Sequence, residues 1–246
     1  MQRRSVLAGL AAVATAGCSK IGQTEAFQHV VDAADRLHRG AHRVLGGRRT
    51  MAPQYTLADV SPVFRGNGST AVDTDEYRAH AAAQFADWTL AVTGLVDRPV
   101  TLTLAQLRAL PQRTQITRHD CVEGWSAIGQ WTGPQLSAVL NLARVKPGAR
   151  YIVFHCADDL YGSRYYESCD MDDALHPQTI VAHSLNGRPL PVQNGAPLRM
   201  RIERQLGYKQ AKFLTGIEAV SSFDHIAGGK GGYWEDSAGY QWYGGV

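Results

Sequence analysis

Cysteine is scarce in this chain: four residues in 246, at Cys18, Cys121, Cys156 and Cys169. That excludes a small disulfide-stapled scaffold, so each thiol has to be explained singly. No CxxCH haem-attachment motif and no iron–sulfur cysteine set occurs. Long apolar runs are also missing. The N-terminal stretch from Val6 to Gly17 stops at Cys18, short of the roughly 20 residues that a spanning helix needs. Charge of one sign is not in excess: the formal net charge is +3, and no RNA- or DNA-binding module is visible, so no nucleic-acid partner is expected. The 25 glycines show no Gly-X-Y period or tandem repeat, which excludes a collagen-like or solenoid chain. What is present is 44% hydrophobic and 19% charged residues, too apolar for a disordered protein and enough for a sizeable core.

The first residues read as an export leader. Arg3 and Arg4 precede the short apolar run, and Ala16-Gly17-Cys18 follows. The paired arginines resemble a twin-arginine signal, and Cys18 stands where a lipoprotein is lipidated. An ordinary N-terminal helix is the plain alternative. Losing residues 1–18 takes Lys+Arg from 25 to 23 against 22 Asp+Glu, which leaves +1. The basic balance therefore belongs mostly to the leader.

Residues 19–50 are expected to hold an N-terminal helix. From Thr24 to Leu45, Phe27, Val30, Val31, Ala34, Leu37, Ala41, Val44 and Leu45 recur at helical spacing. Arg36, Arg39, Arg43, Arg48 and Arg49 lie on its polar side and beyond. They suit a solvated helix end, or docking to an acidic partner or lipid headgroups. Residues 51–246 form the main domain. Met51 to Gln84 reads as a long loop. Strands are expected over Trp88–Val96, Pro99–Thr103, Gln115–Asp120, Tyr151–Cys156, Arg164–Cys169, Thr179–Ser184, Leu198–Glu203 and Gly216–Ser222. Helices are expected over Leu104–Leu110 and Gln135–Ala143. The tail from Ile226 is rich in glycine and aromatics and is expected to wrap over the domain without regular structure. The fold class is α+β with a majority of strands.

The densest chemistry is Arg118-His119-Asp120-Cys121-Val122-Glu123-Gly124-Trp125-Ser126. Cys121 has four readings: a buried structural thiol, a nucleophile, a zinc ligand, or a ligand to a redox metal. No CxxC or HxxxH spacing accompanies it, which disfavours zinc. His119, His155, His176 and His183 could serve a Cys–His hydrolase, but no protease signature surrounds the cysteine.

His119-Asp-Cys121-Val-Glu-Gly-Trp125-Ser, followed by Gly129-Gln-Trp131-Thr-Gly133, resembles the core of the sulfite oxidase family of molybdenum enzymes, in its exported, sulfoxide-reductase-like branch. The likeness runs from about Pro62 to the C-terminus. It takes in His176-Pro-Gln-Thr179, Asn186-Gly-Arg-Pro-Leu190-Pro, Asn194-Gly195-Ala-Pro-Leu-Arg199 and Gly207-Tyr-Lys209-Gln-Ala-Lys212. The resemblance implies a strand-rich molybdopterin-binding fold, with molybdenum and molybdopterin as cofactors and Cys121 as the metal's thiolate ligand. A soft thiolate suits such a redox metal. It further implies pterin-contacting positions at Asn67, Cys156, Asn194, Arg199, Lys209 and Lys212. Arg199 offers a two-pronged phosphate contact and the lysines add point charge. At Cys156 the sulfoxide-reductase relatives carry Thr. In an oxidising compartment Cys156 could instead pair with Cys169, but a hairpin centred near Leu160 sets it opposite Arg164 or Tyr165. Arg118 and His119 flank the ligand as candidate substrate contacts, and Arg164, Tyr161, Tyr165 and Tyr166 could rim the pocket.

The expected function is two-electron oxygen-atom transfer on a small oxide or oxyanion. Electrons would be exchanged with a separate carrier such as a membrane cytochrome b, by a monomer whose only membrane attachment is a lipid anchor. Its rivals are a lipid-anchored binding protein of the same fold without turnover, and a Cys–His hydrolase.

Overall fold

A computed structural model describes residues 24–45, 47 and 50–246, so the expected leader and Cys18 lie outside the described residues. The chain divides into two units, residues 1–47 and 48–246. The first carries α1 (Glu25–Leu45), close to the span its apolar period predicts. Thr24 Oγ1 accepts from the Phe27 amide at 3.3 Å, and Glu25 and His42 and Arg43 stand at the ends that suit the helix dipole. Phe27, Val30, Leu37, Val44 and Leu45 are exposed. No helix among the described residues is long and apolar enough to cross a membrane.

The second unit is built on a five-stranded sheet in the order β2-β1-β11-β5-β6. These strands are β1 (Thr89–Gly94), β2 (Val100–Thr103), β5 (Tyr151–Leu160), β6 (Ser163–Asp170) and β11 (Leu214–Val220). β1 runs parallel to β11 and the other pairs are antiparallel. Alternation on β1 buries Leu90 and Val92. They join Leu107 of α3 (Leu104–Ala109), Leu136 and Val139 of α4 (Leu136–Ala143), and Ile152, Phe213 and Ile217 in the main core. Each such side chain contributes about 1.5–3 kcal/mol by leaving water. Gly94 is dictated by space and backbone together. Its φ is +83°, and a Cβ there would sit 2.3 Å from the Ala219 carbonyl oxygen.

A second sheet, β3-β4-β8-β9, is antiparallel. β3 (Gln112–Asp120) and β4 (Ser126–Pro134) form its long hairpin; β8 (Ser184–Leu185) and β9 (Arg188–Pro189) are short. β7 (Ile180–Ala182) pairs with β10 (Arg199–Arg201). A smaller core of Phe64, Trp131, Ile180, Ala182, Leu185 and Leu190 sits here.

The main departures from the sequence expectation are three. The stretch from Met51 to Gln84 contains α2 (Asp75–Ala82), capped by Thr74, whose side chain accepts from the Tyr77 amide. α2 buries only Tyr77, so it leaves no apolar period to detect. β4 was not expected at all. Its inward positions are Ala127, Gly129, Trp131 and Gly133, and glycines erase the alternation that marks a strand. Close packing demands them: a Cβ on Gly133 would lie 2.0 Å from the Val181 carbonyl oxygen. The tail does wrap over the domain, but it includes a helix, α6 (Tyr233–Ala238). Tyr233 stacks on Tyr165 at 5.6 Å, and Trp242 Nε1 donates to Ser168 Oγ at 2.8 Å. This cover explains why β6 is buried on both faces from Tyr165 to Cys169.

Candidate active site

β3 and β4 are in register from Gln112↔Pro134 to Asp120↔Ser126, so the hairpin tip is Cys121 to Trp125. The tip closes on itself: the Cys121 amide donates to the Trp125 carbonyl at 2.9 Å, and the Gly124 amide to the Cys121 carbonyl at 3.0 Å. Gly124, at φ +84°, makes that turn without strain. Cys121 is thus fixed at the mouth of the sheet, 6% exposed, with its thiol pushed up chiefly by burial. It opens onto a cleft of about 630 Å³ lined also by Asn67, Ser69, Asp158, Tyr208 and Lys212, with Trp234 and Tyr240 from the tail.

Behind the cleft lies a concentration of buried positive charge. Arg199 is fully buried on β10; one guanidinium nitrogen donates to the Asn194 carbonyl at 3.0 Å, while Nε and Nη2 have no partner. Its pKa falls to about 9, first through burial and then through neighbouring Arg201. Lys212 is 7% exposed and donates to the Asn67 and Ser69 carbonyls. Burial and Arg199 bring its pKa down to about 7. Asn194 ends a 3₁₀ turn, Val192–Asn194, and donates to the Arg65 carbonyl at 3.3 Å. Gly195 follows at φ +102°, and a Cβ there would press within 2.7 Å of the Lys212 side chain. Asn67, Cys121, Asn194, Arg199 and Lys212, expected from the sequence to act together, are therefore gathered at this cleft or directly behind it.

His119 points inward from β3 and is 2% exposed. Its ring packs against Phe64 (5.6 Å) and Trp125 (5.5 Å), which also touch each other. Arg201 Nη1 donates to its Nδ1 at 3.0 Å, and Arg201 is itself held by Glu203 through two hydrogen bonds of 3.0 and 2.6 Å. Both Arg201 and Arg199 lie over the Trp131 ring, at 4.4 and 5.0 Å. Burial and the surrounding cations push the imidazole well below its ordinary pKa, so it is neutral.

Three expected contacts are placed elsewhere. Arg118 alternates to the opposite face of β3 from His119; half exposed, it pairs with Asp120 at 3.0 Å and borders a separate hollow near Tyr55 and Arg204. Lys209 is not on the cleft. Its ammonium is fully buried between Glu167 and Glu235, 2.5 Å from each. Cys156 lies in the main core on β5, one inward step behind Asp158, and does not line the cleft. The register sets Cys169 opposite Ile152, so the two thiols do not face each other across the hairpin. Arg164 donates to the Ala157 carbonyl; Tyr165, by contrast, does line the cleft, its hydroxyl donating to the Tyr208 carbonyl at 2.6 Å. Tyr161 is 92% exposed beyond the cleft, and Tyr166 binds Asp236.

Sequence reading missed Asp158, Ser69, Gln210 and the tail aromatics Trp234 and Tyr240. Asp158 is 2% exposed and burial raises its pKa. The only local signal was its position two residues after Cys156 on an alternating strand.

Comparison with known proteins agrees with this geometry. A family model described as an oxidoreductase molybdopterin binding domain matches residues 78–225. A putative protein-methionine-sulfoxide reductase subunit YedZ1 of Azospira oryzae is 38% identical over 245 residues, covering 100% of this chain and 86% of its own. The protein-methionine-sulfoxide reductase catalytic subunit MsrP of Xanthomonas axonopodis pv. citri is 31% identical over 92% of this chain and 72% of its own. The sulfane dehydrogenase SoxCD of Paracoccus pantotrophus shares the fold at TM-score 0.51 and 22% identity, over 56% of this chain and 39% of that one. The chain belongs to the sulfite oxidase family. It is a molybdopterin-dependent oxidoreductase whose cofactor carries molybdenum.

The residues present fit that group. Leaving Arg199 Nε and Nη2 and His119 Nε2 buried without acceptors would cost about 1–3 kcal/mol each. An anionic, acceptor-rich ligand answers all three. Among the described residues no group of three or more His, Cys, Asp or Glu could hold a metal by itself, which suits a metal carried mainly by its cofactor.

Proposed function

We propose that this chain reduces neutral S-oxides of the methionine-sulfoxide kind, taking electrons from a separate carrier such as a membrane cytochrome b, after export in folded form. When bound, molybdopterin supplies a redox metal that exchanges one oxygen atom and two electrons with the substrate. Cys121 is the thiolate ligand; coordination would deprotonate a thiol that burial otherwise keeps protonated. Arg199 and Lys212 neutralise the cofactor's phosphate, Asn67 and Asn194 shape the walls around it, and the Gly195 turn leaves room for the Lys212 stem.

The observation that carries the substrate reading is the cleft lining. Val122, Leu160, Tyr208, Trp234 and Tyr240 give it an apolar and aromatic wall, with Glu123 and Asp158 the acidic groups on it. No arginine lines it among the described residues, and Arg118 faces away. With Lys212, the cation on the lining, given over to the cofactor's phosphate, an anion such as sulfite would find no arginine to hold it there, whereas a thioether oxide can lie against aromatic rings. The identity to named sulfoxide reductase subunits supports the same direction.

The test is a dye-coupled assay of molybdenum-loaded protein with methionine sulfoxide, dimethyl sulfoxide and sulfite. Sulfoxide reduction is expected to dominate. Sulfite oxidation with the larger kcat/KM would overturn the substrate reading.

A further inference from the structure

We propose that His119 is a hydrogen-bond donor to the bound cofactor, locked in one tautomer by Arg201, and that residue 207 is glycine to keep that donor uncovered. The inference rests on the cofactor site described above and goes further by assigning a contact to a residue that neither coordinates metal nor carries charge.

The argument begins at Glu203. Its carboxylate takes two hydrogen bonds from Arg201, and both side chains are fully buried. That fixes the guanidinium plane, and a guanidinium can only donate. Arg201 Nη1 meets His119 Nδ1 at 3.0 Å, so Nδ1 must be the acceptor. The ring proton of the neutral imidazole then belongs to Nε2. Phe64 and Trp125, themselves in edge contact at 6.4 Å, pack against the ring, and the Arg201 hydrogen bond fixes its orientation. Nε2–H is buried and has no partner. Buried donors are seldom left so, and this one is aimed and held by three other side chains.

Gly207 shows where it is aimed. Gly207 lines the cleft, and its backbone does not need the left-handed conformation that favours glycine. A Cβ there would instead come within 2.7 Å of His119 Nε2 and 2.8 Å of Cε1. Glycine is therefore required for space, and the space it leaves is the path from Nε2 to the cleft. Cys121 lies two residues along the same face of the hairpin, so the donor enters beside the metal ligand. His119 thus touches the cofactor itself, and Arg201, which acts through it, is the positioning residue.

The test compares full-length proteins loaded with molybdenum cofactor. Molybdenum and pterin per chain, the rate of cofactor loss on dialysis, and Tm before and after loss are measured. His119→Phe keeps the ring volume but removes the donor. Gly207→Ala covers the donor with a methyl that presses on the ring but leaves the imidazole in the chain. Each is expected to speed cofactor loss about tenfold, the effect of one hydrogen bond in a buried site, and to lower the Tm of emptied protein modestly, since His119→Phe strips Arg201 of an acceptor and the alanine methyl crowds Nε2. His119→Gln, which carries one acceptor for Arg201 and one donor for the cleft, is expected to restore retention. Wild-type retention in both His119→Phe and Gly207→Ala would overturn the assignment, as would equal loss in His119→Gln and His119→Phe. Wild-type protein that takes up no cofactor would instead overturn the underlying site.

Discussion

Two buried lysines three residues apart, Lys209 and Lys212, meet opposite surroundings. Lys209 has two carboxylates within 2.5 Å, and they hold its pKa above the ordinary lysine range despite complete burial. Lys212 donates only to backbone carbonyls; burial and Arg199 outweigh the opposing pull of Asp158, and its pKa falls to about 7. The first cluster is closed. Lys209 ties β6, through Glu167, to the tail helix, through Glu235. The second is open, with donors left over on Arg199 and His119. The difference separates a charge that serves the fold from a charge that waits for a ligand. A buried charge whose partners all lie within the chain is a brace. One whose counter-charge is missing marks where the cofactor binds.

The comparison breaks most visibly at Lys209. Lys209→Met leaves two carboxylates buried without their cation, at a cost of about 3–5 kcal/mol. At roughly 2–4 °C per kcal/mol for a chain of this size, Tm should fall by about 10 °C in a thermal melt. An unchanged Tm would show that the cluster is no brace.

Lys212→Met should do the reverse: no fall in the Tm of empty protein, and a rise near neutral pH where the buried charge costs most, together with loss of molybdenum and pterin by metal analysis. The pH dependence sharpens this. In empty protein Lys212 titrates near 7 when folded and near its ordinary 10.5 when unfolded. Between those values the unfolded chain binds the extra proton, so this group makes stability rise with pH, by on the order of 4 kcal/mol across the window. Below about pH 7 both states are protonated and the penalty is full. Denaturant melts of empty wild-type and Lys212→Met protein from pH 7 to 10 should diverge by that slope; parallel curves would refute it.

The smallest effect is expected at Glu235→Gln. Burial raises the Glu167 pKa, Lys209 opposes it, and the Glu235 carboxylate raises it further. A glutamine at 235 keeps the shape and the contact with Lys209 while it removes the repulsion between two like charges, and stability should change by less than about 1 kcal/mol. A drop as large as that of Lys209→Met would mean that Lys209 needs both charges.

Much of the fold was legible where side chains repeat. α1, β1, α3 and α4 announce themselves by apolar period and caps, and lie close to their expected places. β4 was illegible because its inward positions are mostly small residues, and α2 because it buries one side chain. The site divides the same way. The Cys121 segment and the Asn194–Lys212 motifs stand out as strings of residues. Nothing in such a string says that Lys209 turns away from Lys212, or that Arg118 and His119 part to opposite faces of β3.

By itself the sequence determined the α+β class and the set of residues suited to a thiolate-ligated redox cofactor. Those depend on residue type and spacing within a few positions. Only the tertiary structure decided which charges are satisfied. Lys209 takes its counter-charges from far along the chain, Glu167 and Glu235, whereas Glu203 stands only two residues from Arg201 and forms its ion pair with that arginine, which leaves Arg199 with no ion pair among the described residues. A buried charge is a brace or a binding group according to what long-range packing sets beside it, and local sequence carries no record of that.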